Sequence, residues 1–442
     1  MPNKKNKIVI LGAAGRDFHN FNVVYRNDPD TEVIAFTANQ IPDIAGRKYP
    51  PALAGQYYPN GIPILDEQEL DKIIKENKVD ECVLSYSDLH YEDLMHLGSR
   101  VIAAGAKFSM LAAEPTMLKS TKPVISINAV RTGCGKSQTT KAIVQILLEA
   151  GVKVVSVRHP MPYGNLEMQK VQRFAKIEDL AKHKCTIEEM EEYEPHIEIG
   201  SIIYSGVDYE AILREAEKEA DLIIWEGGNN DTPFFKPDLQ FVIVDPLRAG
   251  DEITYYPGEI NLRTADVIII NKVNTARPDD IDEVRANIRE YNPKAIVIEA
   301  STAVNIEDPD IVLNKNVLVI EDGPTLTHGD MLESYGIAAA KKYGAASFVD
   351  PRPWVVGKIA ETFEIYPNIG TLLPAMGYSD QQVKDLETTI NATECDSVLI
   401  GTPINLARFV KINKPHTRVF YEPSEVGTPN FKSVLKQRGF IK

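Results

Sequence analysis

Short apolar runs alternate with amphipathic stretches along most of the chain. Apolar runs of roughly four to eight residues between turn signals indicate buried strands, and strands that alternate with helices are typical of a mostly parallel sheet. The pattern therefore predicts an α/β protein. The predicted strands are Lys7–Leu11, Glu32–Phe36, Glu81–Ser85, Lys107–Leu111, Val124–Val130, Val152–Val157, Asp221–Trp225, Phe241–Val244, Val267–Asn271, Ala295–Ile298, Val317–Ile320 and Ser397–Ile400.

The length of the chain predicts several domains. Its 442 residues correspond to about three units of roughly 150 residues each. We expect a Rossmann-like domain over residues 1–122, a central domain with a mostly parallel sheet over 123–315, and a mixed α/β C-terminal domain over 316–442. Residues 178–198 are acidic, and we interpret this stretch as a solvated helix face rather than a metal site.

Composition and charge exclude several functions. The chain is 43% apolar with a net charge of −15, which argues against binding to nucleic acid because that surface must be basic. Apolar runs such as Val267–Ile270 are far shorter than the ~20 residues of a membrane helix, and Ile8–Leu11 is too short for a signal peptide. The four cysteines lie far apart, without metal-binding spacing. We therefore expect a cytoplasmic protein with neither nucleic acid nor membrane as a partner.

The segment RTGCGKS, at residues 131–137, stands between a buried strand and an amphipathic helix. In such a P-loop, backbone amides surround phosphate oxygens, the lysine reaches the terminal phosphates and the hydroxyl binds Mg²⁺. Val130 takes the place of the usual first glycine. Arg131 stands where the signal-recognition, MinD and dethiobiotin-synthetase class of P-loop has a basic residue. The segment predicts nucleotide binding by Arg131, Thr132, Gly133, Cys134, Gly135, Lys136, Ser137 and Gln138.

A second segment supports the P-loop. The apolar run Asp221–Trp225 ends in Glu226-Gly227-Gly228, as a Walker B strand does. Glu226 would hold Mg²⁺ together with Ser137.

A third segment, Asn271-Lys272-Val273-Asn274, follows the predicted strand Val267–Ile270. It is similar to the base-binding NKxD of GTPases, with an asparagine in place of the aspartate. An amide offers one donor and one acceptor, a pattern that matches adenine better than guanine. We therefore predict that Asn271, Lys272 and Asn274 bind the base, and that ATP is favoured over GTP.

Cationic and imidazole residues collect at the ends of predicted strands. The carboxyl ends of parallel strands meet in one crevice, so these side chains are candidates for contact with phosphate groups. The catalytic candidates are Lys136, Glu226, Arg158, His159 and Arg248. Further candidates for an anionic substrate are Arg263, His328 and Arg352.

A glycine turn, Gly12-Ala13-Ala14-Gly15, follows the first strand and carries Arg16 and His19. Phe18 replaces the third glycine of a dinucleotide fingerprint, and the next strand ends without a ribose-binding acid. A glycine turn at a helix start binds a lone phosphate well. We therefore predict that Gly12, Gly15, Arg16 and His19 bind a phosphorylated metabolite rather than a nicotinamide cofactor. A purely structural turn is the remaining alternative.

The segments RTGCGKS, WEGGNND, NKVN and EDGPTLTHG, behind a Rossmann-like first domain, together resemble the cyclic 2,3-diphosphoglycerate synthetase family. The resemblance covers nearly the whole chain. It implies an ATP- and Mg²⁺-dependent synthetase that closes 2,3-diphosphoglycerate into a ring and releases ADP and phosphate. It also implies that Lys136 and Ser137 serve the nucleotide, that Glu226 serves the metal, and that the loop around His328 belongs to the active centre.

Other classes of protein share the nucleotide motifs. A small-molecule kinase or ligase could act on a different phosphorylated or carboxylic acid, and a regulatory or metallochaperone GTPase or ATPase would also contain a P-loop. Metallochaperones usually add a histidine-rich or CxxC metal site, and this sequence has neither. P-loop proteins of this class often place their nucleotide sites near a dimer interface, so we expect a homodimer.

Overall fold

The computed structural model describes residues 4–39, 44–161, 164–322, 334–376, 380–402 and 404–442. These residues form two large sheets with helices packed against them. The predicted α/β class, with a Rossmann-like first part and a mostly parallel central sheet, is confirmed.

The first sheet belongs to the N-terminal part of the chain. Its strands and the neighbouring helices are β1 Asn6–Leu11, α1 Arg16–Asn20, β2 Thr31–Ala38, β3 Lys48–Tyr49, α2 Pro51–Ala54, β4 Ile62–Asp66, α3 Leu70–Asn77, β5 Glu81–Leu84, β6 Leu89–His90, α4 Tyr91–Ala104, β7 Lys107–Met110 and α5 Ala113–Thr116. The order in the sheet is β3-β4-β2-β1-β5-β7, and only the β3–β4 pair is antiparallel. The strand β6 is not part of this sheet. It pairs with a short strand of the central part instead.

The remaining elements follow residue 123. The strands are β8 Val124–Ala129, β9 Val154–Arg158, β10 Gln172–Phe174, β11 Ile202–Ser205, β12 Leu222–Gly227, β13 Leu239–Val244, β14 Tyr255–Tyr256, β15 Val267–Ile270, β16 Ile296–Ile306, β17 Asn316–Asp322, β18 Ser347–Phe348, β19 Leu372–Ala375, β20 Ser397–Ile400 and β21 His416–Glu425. The helices are α6 Lys136–Glu149, α7 Ile177–Lys182, α8 Ile187–Glu198, α9 Tyr209–Ala216, α10 Gly258–Thr264, α11 Pro278–Tyr291, α12 Tyr335–Lys342, α13 Gly357–Ile365, α14 Asp380–Ala392 and α15 Phe431–Gln437.

The strands of the central part line up so that their carboxyl ends meet. The order β11-β9-β12-β8-β13-β15-β16 is parallel throughout. The residues at the carboxyl ends of β9, β12 and β8 therefore lie side by side, which is the crevice expected of a parallel sheet.

The strand β16 is longer than the predicted Ala295–Ile298, because it continues to Ile306. Its first half pairs in parallel with β15, and its second half pairs antiparallel with β21. Strands β20 and β17 then extend the same sheet into the C-terminal part. The central and C-terminal parts thus share one continuous sheet, and the domain boundaries at residues 122 and 315 stay predictions.

Helix α8 contradicts the prediction of a solvated acidic face. Glu188, Glu189, Glu191 and Glu194 are all buried. A charge run in sequence does not reveal partners that come from distant segments, and here Arg158 and Arg408 supply such partners. In the described ranges, no helix is both long and apolar enough to cross a membrane.

The last helix, α15, returns to the central sheet, where Phe431 and Leu435 pack into the same core as the P-loop helix residue Val144. We expect Phe431→Ala to lower the free energy of unfolding by about 3–5 kcal/mol, because a buried aromatic ring is removed and a cavity remains. Phe420→Ala, at a ring 40% exposed on β21, is the control and should cost less than about 1 kcal/mol. Denaturant unfolding measures both. Equal losses in the two variants would contradict this packing.

Candidate active site

The P-loop occupies the turn between β8 and α6, as predicted. Gly133 and Gly135 have positive φ angles of 83° and 99°, a conformation that favours glycine. A side chain on Gly135 would overlap the amide of Asn271. That amide donates to the carbonyl of Cys134 at 2.9 Å, so it braces the turn from outside.

Glu226 lies at the centre of the site. Its Oε1 is 2.6 Å from Arg158 Nη1 and 3.4 Å from Lys136 Nζ. Its Oε2 is 3.0 Å from His196 Nε2. All four side chains are buried. Burial alone would raise the pKa of Glu226, but Lys136 and Arg158 outweigh it and hold that pKa well below its usual range.

The pKa of Lys136 is also lowered, but here burial is the main cause. Burial lowers the pKa of Lys136 to about 8, with Arg158 adding to the shift and Glu226 opposing it. The lysine is therefore an ammonium at neutral pH whose charge Glu226 balances.

The donors expected for Mg²⁺ lie together. Arg158 Nη1 is 3.4 Å from Ser137 Oγ and 2.6 Å from Glu226 Oε1, so the hydroxyl and the carboxylate face the same nitrogen. Mg²⁺ bound with a nucleotide takes one or two such oxygens plus waters and phosphate oxygens, so the donor set fits. Within the part of the chain that the structure describes, no group of three or more metal-binding side chains is present.

Sequence reasoning missed Glu192 and His196 of α8. Both oxygens of Glu192 accept hydrogen bonds from Arg158, and His196 contacts Glu226. Residues four apart lie on one face of a helix, so their spacing was a signal. It was hidden by the acidic residues around them.

The glycine turn of the first part is filled by side chains of the chain itself. Asp17 Oδ1 accepts hydrogen bonds from the amides of Ala14 and Phe18, each at 2.7 Å. A side chain on Gly15 would overlap the His159 ring, and a side chain on Gly12 would overlap Asp17. A carboxylate of the chain thus occupies the turn, and phosphate binding by Gly12 and Gly15 stays a prediction.

Arg16 and His19 fasten the first part of the chain to the central part. Arg16 donates to the backbone oxygen and hydroxyl of Thr232 and lies over the Phe234 ring. His19 Nε2 is 2.8 Å from the carbonyl of Thr116, and its ring stacks on Phe234 at 4.2 Å. Burial lowers the pKa of His19 to about 3, so its ring is neutral. Both side chains are thus engaged in contacts within the chain, and their binding of a substrate anion stays a prediction.

His159 follows β9 and lies where the first and central parts meet, against Gly15 and Gly228. Its Nδ1 is 3.0 Å from the Tyr209 hydroxyl, and its Nε2 is 3.3 Å from Asp231 Oδ2. Burial, with Arg16 nearby, holds the pKa of His159 well below its usual range. The imidazole is thus neutral between a phenol and a carboxyl group.

Two buried carboxyl groups line this meeting place. Burial raises the pKa of Asp17 to about 7; the amides of Ala14 and Phe18 oppose the shift and Asp231 adds to it. Burial raises the pKa of Asp231 to about 6 against the opposing charge of Arg16. We call Asp17 and Asp231 the acidic pair. Sequence reasoning assigned neither residue a role, although Asp231 ends the segment WEGGNND.

Two predicted cations brace the P-loop instead of pointing at phosphates. Arg131 Nε is 2.8 Å from Asp88 Oδ1, and its guanidinium lies over the Tyr255 ring. Arg248 Nη2 donates to the carbonyl of Thr132 at 2.8 Å. These contacts hold the turn in place, and direct action of the two side chains on the nucleotide stays a prediction.

The segment NKVN is also used internally. Lys272 Nζ is 2.8 Å from the Gly133 carbonyl and 2.6 Å from Asp245 Oδ2. Asn274 donates to the carbonyl of Thr302 and accepts from its amide, at 3.2 and 3.0 Å. The side-chain nitrogen and oxygen of Asn274 are both hydrogen-bonded to Thr302, so in this arrangement neither is directed at a nucleotide base.

The remaining substrate candidates lie elsewhere. Arg263 and Arg352 are exposed, and each pairs with a carboxylate near it in sequence, Glu259 and Asp350. Arg263 lies in the last turn of α10, and Arg352 lies in a short helical turn after β18. His328 lies outside the described residues.

Cys134 is buried in the P-loop, and burial raises the pKa of its thiol to about 11. Nucleotide binding by Thr132 and Gln138 stays a prediction.

Comparison with known proteins shows which proteins this chain is similar to. The family model for the cyclic 2,3-diphosphoglycerate synthetase P-loop domain matches residues 199–301. Arginine synthetase ArcE of Thermococcus kodakarensis is 58% identical over 98% of this chain and 97% of its own length. Cyclic 2,3-diphosphoglycerate synthetase of the same organism is 26% identical over 51% of this chain and 57% of its own length. The crystal structure of LpxK from Aquifex aeolicus in complex with ATP covers 79% of this chain and 96% of its own, at 10% identity and a TM-score of 0.43.

The acidic pair predicts how stability depends on pH. Between about pH 4 and 7 the Asp17 carboxyl keeps its proton when folded and loses it when unfolded, so stability falls as the pH rises. Asp17→Asn removes this fall. Between pH 5 and 8 the wild type should lose about 2–3 kcal/mol more than Asp17→Asn, since one pKa unit is about 1.4 kcal/mol. Denaturant unfolding at both pH values measures it, with exposed Asp30→Asn as the control. Parallel pH dependence in wild type and Asp17→Asn would refute it.

Proposed function

This chain belongs to the family that contains cyclic 2,3-diphosphoglycerate synthetase and arginine synthetase ArcE; it is an ATP-dependent synthetase, and we propose that its product is arginine. The observation that carries the proposal is the acidic pair beside a P-loop, in a chain that matches an arginine synthetase along nearly its whole length.

The charge of the site favours a cationic product. Burial raises the pKa of both Asp17 and Asp231, and at Asp231 the charge of Arg16 offsets it only in part, so both carboxyls would gain from a further cation. A guanidinium group would supply that cation, in a geometry that suits carboxylates. The cations that could hold a phosphorylated acid are already paired with carboxylates: Arg158 with Glu192 and Arg131 with Asp88.

The chemistry follows from the product. Arginine differs from a ureido amino acid by one nitrogen in place of oxygen. Transfer of the γ-phosphoryl group of ATP to the ureido oxygen makes that oxygen a leaving group. Ammonia then forms the new C–N bond as phosphate departs, and the products are arginine, ADP and phosphate. Such a transfer needs positioning and charge neutralisation more than a strong base.

The residues have separate roles in this scheme. Lys136 neutralises charge on the terminal phosphates, and Arg158 faces the transferring group from the end of β9. Ser137 and Glu226 would hold Mg²⁺, which shields the phosphate oxygens. His159, neutral between Tyr209 and Asp231, would hold the Asp231 carboxyl in place, and the departing phosphate would take the proton released by the attacking nitrogen.

A second candidate keeps the original expectation that the acid is 2,3-diphosphoglycerate, cyclised with release of ADP and phosphate. It is favoured by the family model over residues 199–301 and by matches along about half of the chain. The paired state of the cations argues against it, because that substrate carries three anionic groups.

Two further expectations are kept with the proposal. The four cysteines are unpaired in the structure, which supports a reducing compartment such as the cytoplasm. The homodimer is tested by light scattering coupled to size-exclusion chromatography.

The first test supplies ATP and Mg²⁺ with either citrulline and ammonium or 2,3-diphosphoglycerate. We expect arginine, ADP and phosphate from the first mixture, measured by mass spectrometry and ³¹P NMR, and no cyclic product from the second. Lys136→Ala should reduce turnover by at least about a hundredfold, since it removes a charge that stabilises the transition state. Ring closure without arginine formation would establish the second candidate instead.

The second test uses the pH dependence of arginine binding in the presence of MgADP. The pKa of Asp231 is raised to about 6, so its carboxylate is present above that pH and lost below it. The dissociation constant of arginine should rise about tenfold from pH 7.5 to pH 5. Asp231→Asn should bind weakly at both values, whereas Asp279→Asn, on an exposed helix start, should follow the wild type. Calorimetry that finds pH-independent binding in the wild type would exclude this role.

A further inference from the structure

The guanidinium of Arg158 is held along two different edges. Both Glu192 oxygens accept hydrogen bonds from Nε and Nη2. The remaining nitrogen, Nη1, is 2.6 Å from Glu226 Oε1 and 3.4 Å from Ser137 Oγ. A bidentate carboxylate fixes the plane of a guanidinium. Glu192 therefore sets the direction in which Nη1 points.

That direction is toward the place of the terminal phosphate. Lys136 Nζ, the group that a P-loop offers to terminal phosphates, contacts the same Glu226 oxygen as Nη1. When a phosphate enters, Nη1 can exchange Glu226 for a phosphate oxygen while the Glu192 edge stays bonded. Glu226 then keeps His196 on its second oxygen.

The helix that carries Glu192 is held from the other side by the C-terminal part. Ile187 packs in the core around β17. Glu194, fully buried, pairs with Arg408 at 2.7 Å. Helix α8 is thus fixed between the nucleotide site and the C-terminal part, which makes Glu192 a rigid support rather than a mobile surface charge.

We propose that Glu192 is a positioning residue that aims Arg158 Nη1 at the γ-phosphoryl group during transfer. The inference rests on the proposed function, because it assumes transfer of that group. A preoriented cation stabilises charge that develops in the transition state without the cost of ordering it then. The ground-state nucleotide gains little from the same arrangement, since Lys136 and the P-loop amides already bind it.

The experiment compares binding of MgADP with binding of MgADP–aluminium fluoride, which mimics the group in transfer. In Glu192→Gln the dissociation constant of the fluoride complex should rise about tenfold or more, while that of MgADP changes less than about twofold. Glu198→Gln is the control, because it makes the same change on the same helix near Arg408 instead of Arg158. Thermal midpoints of all proteins are measured alongside.

A double variant separates positioning from general damage. In an Arg158→Gln protein, Glu192→Gln should add no further loss of fluoride-complex binding, because the group that it aims is gone. Full additivity would overturn the proposal, and so would a Glu192→Gln protein that binds the fluoride complex as well as the wild type. A tighter complex would instead identify Glu192 as an inhibitory partner of Arg158. None of these measurements needs an acceptor, so a failure to make arginine would count against the proposed function alone.

Discussion

The buried charge of Glu226 is the constraint on which the centre of the molecule depends. A carboxylate at the end of an interior strand costs several kcal/mol unless cations and hydrogen bonds surround it. Lys136 comes from the P-loop helix, Arg158 from the neighbouring strand and His196 from α8. One acid therefore ties three elements together. These are the same groups that must rearrange when a nucleotide brings its own negative charge.

The contact between the first and central parts depends on His159. The ring of His159, at the end of β9, needs the empty space at Gly15 in the first part and at Gly228 in the central part. Arg16, His19 and the β6–β14 pair close the same boundary. The acidic pair is enclosed as a result, and this burial raises the pKa of both carboxyl groups. The protonation of these two carboxyl groups thus depends on the packing of the first part against the central part.

The sequence was informative wherever the physics is local. Apolar runs placed the strands, and glycine spacing with Lys136 placed the phosphate turn, because backbone conformation and periodicity are written in adjacent residues. Side-chain partnerships were not predictable, since they join segments far apart in the chain. In sequence, the turn at Gly12 gives no sign that Asp17 and His159 fill it. Likewise, nothing near Asn274 in sequence shows that its side-chain amide bonds to the backbone of Thr302. The acidic helix looked solvated because its partners, Arg158 and Arg408, give no sign in sequence that they fold back onto it.

The long strand β16 has a consequence for how the protein is made. Its residues Ala300–Ile306 pair with β21, which ends at Glu425, near the end of the chain. During synthesis the central sheet emerges with this stretch unpaired until more than a hundred further residues have been added. An exposed strand edge invites pairing with other chains. The ribosome-bound intermediate is thus the stage at which this protein is most open to aggregation, and the C-terminal part acts as the cover that ends that exposure.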